Sequence, residues 1–479
     1  MRSSFFGFEV ARRALFAQQR AMDVAAHNIA NANQPAYSRQ RAEMAALAPY
    51  APPGTRPGGV AGQVGTGVWV RAIVRLRDAF LDNRIRSQSE FLAGSQTRRQ
   101  VLEQLERVMD EPSENGLRMA MDRFWEALQE LSVTPDSVAV RNLVVERGRV
   151  LADTVRRTFS QLQALREDLD RDLELKVERL NSLAEQVASL NRQIRQVGAS
   201  GQNPNDLRDA RDALLDEMAQ LAGVSVTVRA PLDESAAGEQ VAVSVGGLSL
   251  VDGAVVHRLV LDGTFPDRML RWENPSGPTV LVPGGEIAAL LAMRGTLGDD
   301  PGAVEGYLPE RMRELDAWIR EFVEAFNQQH RLGFDLDRGE GGDFFEPPQP
   351  GQWYASETAL SVTLTPRGVA AAASQEGVPG DGANALALAG LKARALDVLG
   401  SLVSGLGVDV QQAQTEAENQ KLLVDHLKGI RESISGVSLD EEMADLLRFQ
   451  HAYGAAARAM TAMDEVLDTL IHRTGLAGR

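Results

Sequence analysis

Seven-residue spacing at both ends of the chain is the strongest constraint on its fold. Near the N-terminus Phe8, Leu15, Met22 and Ile29 recur every seven residues, and near the C-terminus Leu439, Leu446, Tyr453, Met460 and Leu467 do the same. Such a repeat gives a helix one apolar seam that faces a partner helix. The second seam position is small or apolar in places, with Ala11 and Ala25 in the first stretch and Met443, Ala457 and Ile471 in the last. Gln18, Gln450 and Asp464 interrupt it, so neither stretch is apolar enough to span a bilayer. A lone helix of this size is marginal in water because nucleation is costly. Burying one seam side chain contributes roughly 1.5–3 kcal/mol, so several together can hold it. Pattern alone does not separate two readings: an ordinary antiparallel helix pair within a globular domain, or a terminal coiled coil that orders on assembly.

The chain has 479 residues, enough for two to four domains. It carries 50 basic against 66 acidic residues, a formal net charge of −16. That balance argues against nucleic acid or anionic membrane as a partner. The local run Arg147, Arg149, Arg156 and Arg157 reads as one solvated helix face. There is no cysteine, which excludes disulfides, thiol catalysis and cysteine-ligated metals. Met1 to Val10 lacks the apolar core of a signal peptide, and no small-residue cleavage site follows it. A secreted chain of this kind is expected to keep its N-terminus.

Between the ends the texture alternates. Asn and Pro residues within 31–40 stop the first helix, and a Pro/Gly-rich stretch from Ala48 to Gly67 reads as a linker or surface loop. Val68, Val70 and Ile73 suggest a short strand. Helices follow over Phe91–Met109, with a break at Glu111-Pro112-Ser113, then around Leu117–Leu131 up to Thr134-Pro135, and over Val150–Val197. The last would be on the order of 70 Å long, which suits a rod-like bundle better than a compact core. From Gly223 the valines alternate with polar residues and Gly246-Gly247 reads as a turn, so 222–283 is expected to be β-rich. Helix returns over 284–294 and 308–330. A second β-rich stretch is expected over 334–383, from the alternation of Leu360, Val362 and Leu364, and a last helical block over Leu386–Ile434 ends at Gly436.

The expected fold class is therefore multidomain α+β and rod-like. Residues 1–50 with 435–479 would form a terminal helical domain, and 75–221 with 284–333 and 384–434 a long-helix bundle domain. Residues 222–283 with 334–383 would form an outer β-rich domain.

No catalytic, cofactor or metal motif stands out. The six histidines show no metalloprotease spacing, and no dinucleotide, phosphate-loop or nucleophile-elbow signature occurs. Asp335, Asp337 and Glu346 match positions one, three and twelve of a calcium loop, but Gly339 and Glu340 stand where the loop wants an oxygen ligand and a glycine. A plain turn is the expected reading.

The run Asn28-Ile29-Ala30-Asn31-Ala32-Asn33-Gln34-Pro35-Ala36-Tyr37-Ser38-Arg39-Gln40 resembles the N-terminal signature of the flagellar axial proteins of rod and hook, although Ala36 replaces the family's usual glycine. The ending Ser38-Arg39-Gln40 narrows the resemblance to the hook-associated protein 1 family of hook–filament junction proteins. Agreement continues at Asn205-Asp206-Leu207 with Arg211-Asp212, at Gly284-Gly285-Glu286 with Arg294, at Phe326-Asn327 through Asp343-Phe344-Phe345, and from Gly436 through Leu470. The resemblance implies a secreted, non-enzymatic structural subunit, exported unfolded, whose paired end helices line an inner tube and whose outer β-rich part varies. It marks Asn28, Asn31, Asn33, Pro35, Tyr37, Ser38 and Arg39 as motif residues. It also implies as partners further copies of itself in a ring, the hook protein, a second junction protein on the flagellin side, and an export chaperone at the C-terminal region. No cofactor, nucleic acid or membrane partner is implied. Other readings are a different axial subunit (hook or distal rod), a flagellum-associated wall hydrolase and a cytosolic coiled-coil scaffold. A hydrolase would need an acid pair or metal site, whereas Glu441 and Glu442 sit in a helix start that favours acidic residues.

Overall fold

The computed structural model describes residues 5–49, 65–109, 116–229, 239–264, 268–273, 279–297, 304–348, 352–356 and 361–473. Helix α1 (Phe6–Asn31) leads into strand β1 (Gln40–Ala46), which pairs antiparallel with β2 (Val68–Arg75) across a bulge at Glu43/Met44. Most of the Pro/Gly-rich stretch between these strands and the Glu111-Pro112-Ser113 break lie outside the described residues. Asp78 caps α2 (Ala79–Met109) by accepting from the backbone N–H of Phe80 and Leu81. Helix α3 (Leu117–Val133) then turns at Pro135 into α4 (Val138–Ala199), whose first turn is capped by the Ser137 hydroxyl.

At 62 residues, α4 is about 93 Å long. It begins twelve residues before the expected Val150. The reason is Arg141, which sits in the buried stripe and hides the apolar period. Its guanidinium is fully enclosed because it donates to the carbonyls of Pro135 and Val369. Beyond it Val144, Leu151, Val155, Leu162, Leu169, Leu173, Leu180, Val187 and Ile194 bury one continuous face at steps of four and seven.

Helix α5 (Asn205–Ala222) ends on Gly223 in the left-handed conformation. Strands β3 (Ser225–Arg229), β4 (Gln240–Val245), β5 (Leu248–Asp252) and β6 (Val255–Val256) form one antiparallel sheet in chain order, and β7 (Leu259–Asp262) pairs with β8 (Met269–Trp272). Gly246 and Gly247 join β4 to β5 with φ of 57° and 83°, the positive values a two-residue hairpin turn requires. Two buried asparagines hold these strands on α4. Asn181 donates to the Leu259 carbonyl and accepts from its N–H, and Asn191 donates to the carbonyls of Val241 and Gly253.

Helix α6 (Gly285–Arg294), the short pair β9 (Thr296–Leu297) and β10 (Val304–Glu305), and α7 (Tyr307–Arg331) follow. The expected second β-rich stretch is different in kind. Its described residues are irregular backbone with isolated bridges such as Phe334↔Ala372 and Glu346↔Ser361. Val362 and Leu364 lie in such backbone, and Leu360 lies outside the described residues. Apolar residues here feed the helical core instead of a sheet. Phe344 and Phe345 join Phe124, Trp125, Phe322 and Phe326 in one ring cluster, with centroids 4.8 Å apart for the first pair and 5.2 Å for Phe326–Phe344. His330 pins the same loop. It accepts at Nε2 from the Ala370 N–H, so Nδ1 carries the proton and donates to the Gly342 carbonyl. Burial pushes its pKa down and keeps it neutral. This loop therefore docks near Arg141 of α4 and the β3–β8 strands near Asn181, about 60 Å along the helix at 1.5 Å per residue. The stretch that partly matches a calcium loop is a turn. Asp335 Oδ1 accepts from the N–H of Asp337 and Gly339, and Asp337 pairs with Arg367.

The chain returns through α8 (Ala383–Ala389), α9 (Lys392–Ser435) and α10 (Leu439–Asp468), with an extended Gly436 between the last two. Among the described residues no helix is long and apolar enough to cross a membrane.

Gly148 of α4 is where the Phe344 ring meets the helix: a Cβ there would lie 2.6 Å from Phe344 Cε1. Gly→Ala in a free helix gains about 0.5–1 kcal/mol, but overpacking a core costs about 1–3 kcal/mol. Gly148→Ala is expected to be net destabilising, seen as a lower denaturant midpoint with unchanged slope; a rise in midpoint would refute this packing.

Candidate functional site

The two ends of the chain lie side by side. Helix α1 packs along α10 in antiparallel fashion, with Gly7 against Met463 at one end and Asn28 against Glu442 at the other. The residues α1 buries most deeply are mainly small: Ala11, Ala17, Ala21, Val24, Ala25 and Asn28. The seven-residue set sits beside them. Phe8, Leu15, Met22 and Ile29, and on α10 Leu446, Met460 and Leu467, are half-buried, while Tyr453 and Leu439 are exposed. Helix α1 also packs on β1 and β2, so its small buried residues are covered from more than one side. Helix α10 buries only Glu442 fully. Met443, Leu447 and Val466 of α10 are each more than 50% exposed, and Phe16 stands 59% exposed on α1. The helix pair thus leaves several large apolar side chains in water.

The motif residues build the end of this pair. Asn28 uses its whole amide: it donates to the Gln40 carbonyl and to Glu442 Oε2, both at 2.9 Å, and accepts from the Tyr37 hydroxyl at 2.7 Å and the Gln40 N–H at 3.0 Å. Burial, with Asp206, Asp209 and Glu442 nearby, raises the Tyr37 pKa well above the ordinary phenol value, so the hydroxyl stays a donor. Arg39 donates to Glu442 Oε1 and Glu441 Oε2, each at 2.6 Å. Ser38 donates its N–H and its hydroxyl to Asp209. Asn31 donates to the His27 carbonyl and closes the end of α1, while Asn33 and Pro35 are exposed in the turn. Ala36 avoids the left-handed region, so the turn accepts alanine without strain.

Behind the motif lies an arginine–aspartate network. Arg75 of β2 reaches Asp209 at 2.7 Å and Asp212 at 2.8 Å. Arg77 pairs with Asp82 at 2.6 Å and Asp212 at 3.0 Å. Arg86 of α2 and Arg431 of α9 meet on Asp216 at 2.7 and 2.9 Å. Burial alone would raise the Asp212 carboxyl, but the Arg77 and Arg75 guanidiniums more than reverse it and hold it below the usual carboxylate range. Sequence reasoning picked out Ser38 and Arg39 but not their partners: Glu442 read as one of three helix-start acids, and Asp209, Arg75 and Arg77 carried no pattern. The nearest signal was Asn205-Asp206-Leu207 with Asp212, which marks the turns of α5 that face the motif. Among the described residues no group of three or more histidine, aspartate or glutamate side chains could hold a metal ion.

Three family matches cover these regions. The helical domain of flagellar hook-associated protein FlgK matches residues 102–345, the flagellar basal body rod FlgEFG C-terminal family matches 432–472, and the flagella basal body rod family matches 8–37. The chain is 33% identical to flagellar hook-associated protein 1 of Bacillus subtilis, with all of both chains covered. The chain belongs to the flagellar hook-associated protein 1 family. The relative of that name in Escherichia coli is 27% identical, over 96% of this chain and 98% of its own. A solved structure, the flagellar hook junction protein FlgK from Burkholderia pseudomallei, aligns with TM-score 0.47 and 24% identity over 55% of this chain and 46% of its own. As a family member this protein is a structural part of the bacterial flagellum. The two rod families match only its ends, where the seam and motif lie, and the hook-associated match covers α4 and the strands packed on it.

The lowered Asp212 pKa fixes a pH dependence. Its contribution to stability is complete above the unfolded aspartate value of about 3.9 and is lost as pH falls through the lower folded value. Asp212→Asn should thus cost about 1–3 kcal/mol at neutral pH, and the gap to the parent should shrink in acid. Urea titrations at pH 7 and pH 3 test this; an equal gap at both would exclude a charged Asp212 as the source.

Proposed function

We propose that this protein is a subunit of the ring at the hook–filament junction, secreted through the flagellar export route and assembled through its paired end helices. The observation that carries this reading is the outward face of α10 and α1, where Met443, Leu447, Val466 and Phe16 remain exposed although the two helices already pack on each other. Neighbouring copies in the ring cover that face. On this reading the terminal pair is a coiled coil completed by assembly. The hook protein lies on one side of the ring, the second junction protein and flagellin lie on the other, and a chaperone holds the C-terminal region before export. The hook-associated match over residues 102–345 favours this role over that of a hook or distal rod subunit, which would share only the ends.

Met443→Asp and Leu447→Asp alter side chains that solvent already reaches, so the monomer should keep its fold. Each puts a charge on a surface that is dry only after assembly, at a cost of several kcal/mol for an unpaired buried charge. Sheared flagella from cells producing either variant should lack it and should carry hooks without filaments. The half-buried seam variants Leu446→Asp and Met22→Asp should behave alike. Filaments of normal number containing any of the four at parental level would reject the end-helix surface as the assembly element.

A further inference from the structure

Helices α1 and α10 with strands β1 and β2 make one end unit, and helices α2 to α9 with the remaining strands make the body. The chain passes between them at Leu76–Asp78 and at Gly436–Ser438. Neither apolar core cluster contains a residue of α1, β1, β2 or α10. Two units joined by short crossings, without a shared apolar core, are free to move relative to each other unless something else fixes them. Here that something is polar and directional. Ser38 binds Asp209 through its N–H at 3.0 Å and its hydroxyl at 2.8 Å. Gln40 donates to Asp206 at 2.8 Å and accepts from Asn205 at 3.0 Å, and Asn205 also donates to the Ile73 carbonyl at 2.9 Å. Arg75 forks onto Asp209 and Asp212, and the Arg39 N–H reaches the carbonyl of Ser435 at the end of α9. All but the last fall on the first two turns of α5.

We propose that this cluster is an angular lock: it sets the direction of the end-helix unit relative to the body, and neither unit needs it to fold. Apolar contact is non-directional and tolerates sliding, whereas Asp209, taking bonds from Ser38 and Arg75 at once, accepts only a narrow range of approach. Buried ion pairs add little net stability over apolar contact, and fixing one arrangement is their better-attested use. Lock and assembly surface are separate, since the cluster faces α5 and the exposed apolar stripe lies on α10.

The absence of cysteine gives a clean background for spin labels at Ala459→Cys on α10 and Gln196→Cys on α4, both exposed. In the full chain the label-to-label distance distribution should be narrow. Arg75→Gln and Asp209→Asn should broaden it and shift its mean while helix content by circular dichroism stays at the parental level. Parental width in a variant that keeps its helix content would overturn the lock. If either variant loses helix content, the milder Ser38→Ala decides in the same way: a broader distribution supports the lock and an unchanged one refutes it.

Discussion

The carboxylate of Glu442 is the point on which the pairing of the two ends turns. It is 3% exposed, and a buried charge is tolerated only when partners compensate it. Its partners, Asn28 and Arg39, come from the other end of the chain, more than 400 residues away in sequence. The carboxylate can therefore be buried only when both ends are present and in register. Ser438 and the acidic first turn of α10 place Glu442 there, at the end of the helix where backbone N–H groups favour negative charge.

Two kinds of contact divide the rest of the molecule. Along α4 the contacts are mainly apolar: its buried face supports the aromatic cluster near Phe344 and the strands near Leu259, Arg141, Asn181 and Asn191 bond to backbone, and Asp170 pairs with the buried Arg294. Between the body and the end helices the contacts are polar, from Ser38, Gln40 and Arg75 to α5. The first kind gives the body its stability, and the second gives the end helices a direction. On α10, Met443, Leu447 and Val466 leave apolar surface in water.

Much of this was legible without coordinates. The period of the end helices, the apolar face of α4 from Val150 onward, the alternation at Val241, Val243 and Val245, and the turn at Gly246-Gly247 are local signals, and local signals follow from helix and strand geometry. Where the reading failed, a long-range contact had replaced the local pattern. The start of α4 was hidden by Arg141, whose burial depends on the carbonyl of Val369. Leu360, Val362 and Leu364 alternate like a strand, yet the described part of 334–383 is largely irregular backbone, with Phe344 and Phe345 drawn into the cluster of α3 and α7.

The sequence by itself determined the kinds of element, a seven-residue apolar spacing at each end, the lack of cysteine chemistry and the motif from Asn28 to Arg39. Only the tertiary structure decided that alanines are the deeply buried residues of α1 while the large seam residues are half-buried or exposed, that Glu442 rather than its acidic neighbours is the buried partner, and that α5 receives the motif. The physical reason is the range of the forces. Helix and strand period are set by residues a few positions apart, whereas a buried carboxylate or an arginine fork is satisfied by whatever groups the fold brings near, and nothing in the spacing of Asp209 or Arg75 announces the other.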